Sequence, residues 1–165
     1  MTFLKVSGNT LRWNDHSYPC AVGKNGFNFQ KREGDGCTPI GRFQLRECWF
    51  REDRIKGFTT GLLQRRIHED DGWCDDTESP VYNTHVKLPF GMSHEKLWRD
   101  DHAYDLIIPI GYNDIPAVPG LGSAIFLHVA LPGYTPTEGC VALAAEHLLE
   151  ILPLISGNTH IEIEP

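Results

Sequence analysis

The chain has 165 residues, 41% of them hydrophobic, and its 22 acidic and 15 basic residues give a formal net charge of −7. That length builds one substantial core without a second domain, and an acidic chain whose basic residues never run beyond a pair such as Arg65-Arg66 excludes a nucleic-acid partner. No stretch approaches the ~18 apolar residues of a membrane span, and Met1–Thr10 carries no basic segment leading into an apolar one. The expectation is a cytoplasmic protein with no membrane partner.

The first half is cut by turns. Leu4-Lys-Val, Leu11-Arg-Trp13 and Tyr18-Pro-Cys-Ala-Val22 are separated by Ser7-Gly-Asn9 and followed by Gly23-Lys-Asn-Gly26, which predicts short strands joined tightly. A glycine-rich loop, Gly34-Asp-Gly-Cys-Thr-Pro-Ile-Gly41, leads into an alternating strand over 42–50. It lacks the Gly-Lys-Ser/Thr ending of a phosphate-binding loop. The middle, from Arg65 to Asp101, is acidic and aromatic, and Ser93 reads as the N-cap of a short helix. Tyr104–Gly111 reads as a strand whose Pro109 implies a sheet edge or a bulge. Gly122–Ala130 reads as a buried strand carrying His128 at its end, 141–152 as a helix, and Thr159–Glu164 as a final strand. The whole is a single mostly β (α+β) domain over 1–165.

Cys20, Cys37, Cys48, Cys74 and Cys140 are odd in number and form no Cys-x-x-Cys pair, so neither a disulfide framework nor a zinc ribbon is indicated. His68, Cys74, His85 and His94 likewise lack the short paired spacing of structural zinc. Cys140 stands apart. It follows Gly139 at the predicted helix start, where the helix dipole and a nearby imidazole would favour the thiolate a nucleophile needs. His128 is the candidate base. Papain-like proteolysis would place the cysteine before the histidine, the reverse of the order here. A non-catalytic peptide-binding module would show a degraded site, whereas both groups are present. No metal or other cofactor is implied.

Three blocks, Gly34-Asp-Gly-Cys-Thr-Pro-Ile-Gly-Arg-Phe43, Gly122-Ser-Ala-Ile-Phe-Leu-His128 and Thr137-Glu-Gly-Cys-Val141, resemble the L,D-transpeptidase catalytic-domain family of YkuD type over about residues 30–163. The resemblance implies a β-sandwich or barrel-like fold and a cysteine enzyme acting on the stem peptides of peptidoglycan. It makes Cys140 the nucleophile, His128 its base and the amides of Gly139 and Cys140 the oxyanion donors. At the family's usual imidazole-orienting position stands Val129, which offers only a backbone carbonyl.

Two departures matter. Thr137-Glu138 replaces the frequent Ser-His before Gly-Cys, and Ala142 stands where many members carry an arginine suited to a substrate carboxylate. Candidates for that anchor are Arg42, Arg65, Arg66 and Arg99. Asp70, Asp71, Asp75 and Asp76 are candidates for the ammonium of diaminopimelate, and Trp73, Tyr82, Trp98 and Thr137 for groove walls. Without an export signal the enzyme would meet soluble tetrapeptides rather than polymer, so an L,D-carboxypeptidase of cytoplasmic peptidoglycan recycling is expected, with an L,D-transpeptidase as the alternative. The family leads one to expect acylation of Cys140 by carbapenems. Oligomeric state is not legible.

Overall fold

The computed structural model describes residues 3–165. Along the chain run β1 (Phe3–Ser7), β2 (Thr10–Trp13), β3 (His16–Pro19), β4 (Phe27–Asn28), β5 (Thr38–Pro39), β6 (Gly41–Gln44), β7 (Cys48–Phe50) and β8 (Gln64–Arg66). Then follow β9 (Asp71–Cys74), β10 (His85–Lys87), β11 (His94–Lys96), β12 (Leu106–Pro109), β13 (Phe126–Val129), β14 (Val141–Leu143), the helix α1 (Ala145–Ile151) with a 3-10 turn at Leu152–Leu154, and β15 (His160–Glu164). The mostly β architecture is the one expected, and the described residues form one short α-helix.

Three of the four sheets stack in layers, the fourth being the short parallel pair β4-β5. The outer sheet has the order β3-β2-β1-β15-β6, the central sheet β14-β13-β12-β7-β8, and a small sheet β10-β9-β11 covers the far side. The alternation of β1 and β15 puts Leu4, Val6, Ile161 and Ile163 inward against Leu106, Ile108, Leu127, Val129, Val141 and Leu143 of the central sheet. Leu148 and Ile151 of α1 close this first core. A second core lies on the opposite face of the central sheet, where Trp49, Ile107, Phe126 and Cys140 meet Trp73, Leu97 and Tyr104. Burial on both faces explains why Leu106-Ile-Ile and Ile125-Phe-Leu are unbroken apolar runs rather than alternating ones.

Four local expectations are corrected. Residues 141–143 form β14, parallel to β13, because Val141 and Leu143 fill the first core; α1 begins only at Ala145, after Ala144 in extended conformation. The apolar run fits either element, and the open edge of β13 decides it. Ser93 caps no helix, since His94–Lys96 pairs with β9 instead. The strand over 42–50 is two strands in different sheets, with the chain crossing between them at Leu45–Glu47, where buried Leu45 bridges Ile110. Pro109 ends an inner strand, so the edge alternative is wrong, while the pairing shifts by one residue there, from Ile107↔Trp49 to Ile110↔Leu45, as the bulge alternative requires.

Candidate active site

β13 carries the histidine and the turn before β14 carries the cysteine. Phe126 and His128, two apart on β13, share the face turned to the second core. Residue 140 is held from several sides. The segment 137–142 is clamped by backbone hydrogen bonds from Thr137 N–H to Val22 O and from Ala142 N–H to Ala21 O, each 2.9 Å. The Cys140 carbonyl accepts the hydroxyls of Thr137 at 2.7 Å and Thr38 at 3.4 Å. Gly139 is required by its φ of +139° and because a Cβ there would lie 2.8 Å from the Cys37 carbonyl oxygen.

Cys140 and His128, each only 7% exposed, open onto one cavity of about 500 Å³. Its walls also include Lys31, Glu33, Asp75, Glu95, Arg99 and Tyr104. The Cys140 thiol donates to the Ala124 carbonyl at 3.2 Å and accepts the Phe126 N–H at 3.3 Å. His128 Nδ1 lies 2.9 Å from the Val129 carbonyl, so Nδ1 bears the hydrogen and Nε2 is left as the basic nitrogen. The Tyr104 ring stands edge-on to the imidazole, 5.4 Å between centroids.

Burial sets the protonation of both groups. It pushes the Cys140 thiol up to about 12, an effect that Glu95 adds to and that Phe126 N–H, Lys31 and Arg99 oppose. It pushes the His128 imidazole down to about 4, against the backbone carbonyls of Val129 and Ala103. Both are neutral at pH 7. The helix-dipole contribution expected from sequence is therefore absent: α1 starts five residues beyond the thiol, behind β14.

The cavity is electrically two-signed. Tyr104 Oη donates to Glu95 at 2.9 Å, while burial and the neighbouring Asp75 and Glu33 raise the Glu95 carboxyl. Glu33 accepts the hydroxyls of Tyr82 at 2.6 Å and Ser123 at 2.5 Å. Arg99 is paired at 2.9 and 2.6 Å with Asp101 and lies over the Tyr104 ring.

Of the residues singled out from sequence, Cys140, His128, Thr137, Arg99 and Asp75 line this cavity. Gly139 borders it, but its N–H is directed to Thr137 Oγ1 at 3.2 Å and so is not a free oxyanion donor. Tyr82 stands behind the wall, holding Glu33. Trp73 packs edge-on to Phe126 in the second core. Asp76 accepts the N–H groups of Glu78 and Ser93 in a turn. Arg42 is exposed on the outer sheet, over Phe3. Ala142, 1% exposed within β14, has no room for a cationic substitute. Lys31, Glu33, Glu95 and Tyr104 were not legible as site residues.

Layered β-sheets with a cysteine and a histidine buried at one charged cavity define a class of thiol-bearing catalytic domain. The sequence pattern of the YkuD family, the L,D-transpeptidase catalytic domain, matches residues 2–163. The chain belongs to that family, whose members are cysteine-dependent enzymes acting on the peptide stems of peptidoglycan. Searches of curated proteins and of solved structures found no match.

Proposed function

We propose that this chain is an L,D-carboxypeptidase that removes the terminal D-alanine from peptidoglycan tetrapeptides by way of a thioester on Cys140, acting on soluble turnover fragments in the cytoplasm. The observation that carries this reading is the cavity: a volume of about 500 Å³ around an almost fully buried thiol is the size that encloses one short ligand, so water reaches the acyl group more readily than a second stem peptide. Five unpaired cysteines suit a reducing compartment.

Substrate entry draws the thiol away from the Ala124 carbonyl toward the cavity. Sγ attacks the carbonyl of the L-centre of diaminopimelate as His128 Nε2 takes the thiol proton, and the imidazolium then gives that proton to the departing D-alanine amine. Water, deprotonated by the same nitrogen, hydrolyses the thioester and returns the free thiol. The charge-neutral resting pair means that proton transfer accompanies attack rather than preceding it. The carboxyl groups of Glu33, Asp75 and Glu95 on one wall are acceptors suited to the ammonium group of diaminopimelate.

The test is to incubate the protein and its Cys140→Ala variant with a disaccharide tetrapeptide, with and without a free D-amino acid, and to follow products by mass spectrometry. Cys140-dependent tripeptide, dominant even with the acceptor present, is the expected result. Exchange of the D-amino acid or dimer formation would make the chain an L,D-transpeptidase, and absence of Cys140-dependent turnover would refute catalysis on these peptides.

A further inference from the structure

Lys31 is the least expected residue in the cavity wall. Its side chain is only 2% exposed, and burying an ammonium is costly unless its hydrogen bonds are met. Two partners are present: Asp35 Oδ1 at 2.8 Å and the Arg32 carbonyl at 3.4 Å. An ammonium has three donors, so one remains. Asp35 itself is shared, because its carboxylate also accepts the N–H groups of Arg32 and Cys37.

The surrounding chain is shaped to admit this side chain. A Cβ on Gly122, at φ +112°, would come within 2.9 Å of Lys31 Cε, and a Cβ on Gly139 would lie 3.3 Å from Lys31 Nζ. Two glycines in conformations that L side chains rarely adopt thus make room for one lysine. Its amine ends beside the residue that precedes Cys140, and its charge favours the thiolate there. Arg99, the other cation of the wall, gives two of its five donors to Asp101, lies over the Tyr104 ring and is far more exposed, at 39% of its side chain against 2% for Lys31.

On the hydrolytic reading above, the scissile carbonyl lies one residue, ~3.8 Å, from the free carboxylate of the leaving amino acid. Lys31 lines the same cavity as Cys140 and its amine lies beside residue 139, the neighbour of the nucleophile. We propose that Lys31 binds the terminal carboxylate of the departing residue and so restricts the site to cleavage at a free C-terminus.

The experiment compares a tetrapeptide with its C-terminal amide for the wild-type protein, Lys31→Met and Lys31→Arg, with thermal melts confirming that the variants fold. The same proteins are alkylated at Cys140 with anionic iodoacetate and neutral iodoacetamide, the modified peptide being quantified by mass spectrometry. A charge-assisted hydrogen bond contributes about 10- to 100-fold in binding. The free-acid preference of the wild type is therefore expected to fall by that factor in Lys31→Met, to be partly kept in Lys31→Arg, and to be accompanied by a several-fold drop in the iodoacetate-to-iodoacetamide ratio.

No preference for the free acid in active wild-type protein would overturn the proposal, as would equal losses on acid and amide in Lys31→Met or an unchanged alkylation ratio. If the wild type cleaves neither peptide, the carboxypeptidase reading fails, and the alkylation ratio alone then decides the role of Lys31.

Discussion

His128 shows how burial, more than any charged partner, keeps an imidazole neutral. With its imidazole held down to about 4, the ring stays an acceptor through the acidic range where an ordinary histidine is already protonated. The sign is set by the folded value being depressed: protonation, and with it loss of the base, comes only as pH falls through about 4. The expected pH profile of kcat/KM is flat from about pH 5 to 9 with its acid limb near pH 4. A limb near the usual histidine value of about 6.5 would show that the ring is more hydrated than this structure has it. The same depression has a cost in stability. Between about 6.5 and 4 the unfolded chain takes up a proton that the native ring refuses, so this residue makes the fold weaker as pH falls through that window. The pair Cys140 and His128 was legible because both stand in short, distinctive blocks. Lys31 was not, since its burial depends on Gly122 and Gly139, about a hundred residues away, and a run such as Lys31-Arg-Glu reads locally as a solvated face.

At the scale of elements, the short strands and tight turns of the first half are where sequence and structure agree best, because alternation and turn residues act locally. The segment after Cys140 is where they part. Val141-Ala-Leu-Ala-Ala locally favours a helix, Ala and Leu being strong helix formers, and what overrides it is the unpaired edge of β13 together with the burial of Val141 and Leu143 in the first core. One result is a helix with an unsatisfied start: Ala144 occupies the N-cap in extended conformation and offers no side-chain hydrogen bond. Ala144→Ser supplies the missing acceptor and is expected to stabilise the protein by about 0.5–1 kcal/mol. The measurement is urea unfolding, with the midpoint rising and the slope unchanged. No change, or a fall, would mean that the helix start is fixed wholly by the packing of Leu148 and Ile151.

Across the whole molecule, the two ends of the chain meet in the outer sheet, where β15 lies between β1 and β6, parallel to the first and antiparallel to the second. Ile161 and Ile163 reach from there into the first core. Removing residues 160–165 therefore leaves two strands without a shared neighbour and two buried side chains missing, each isoleucine deletion being a loss of about 2–5 kcal/mol. Together with the strand pairing lost on both sides of β15, this is comparable to the whole stability of a domain, about 5–15 kcal/mol, and the expected outcome is a chain with no cooperative thermal transition by circular dichroism.

The arrangement also orders events in time. Because β15 follows the candidate site in the chain, a polypeptide extended only to residue 159 has every residue of that site while β1 and β6 still lack the strand that joins them. The first core, which backs the central sheet, is closed only once Ile161 and Ile163 are inserted. The candidate site is therefore held in its final shape only after the strand that joins β1 to β6 is in place.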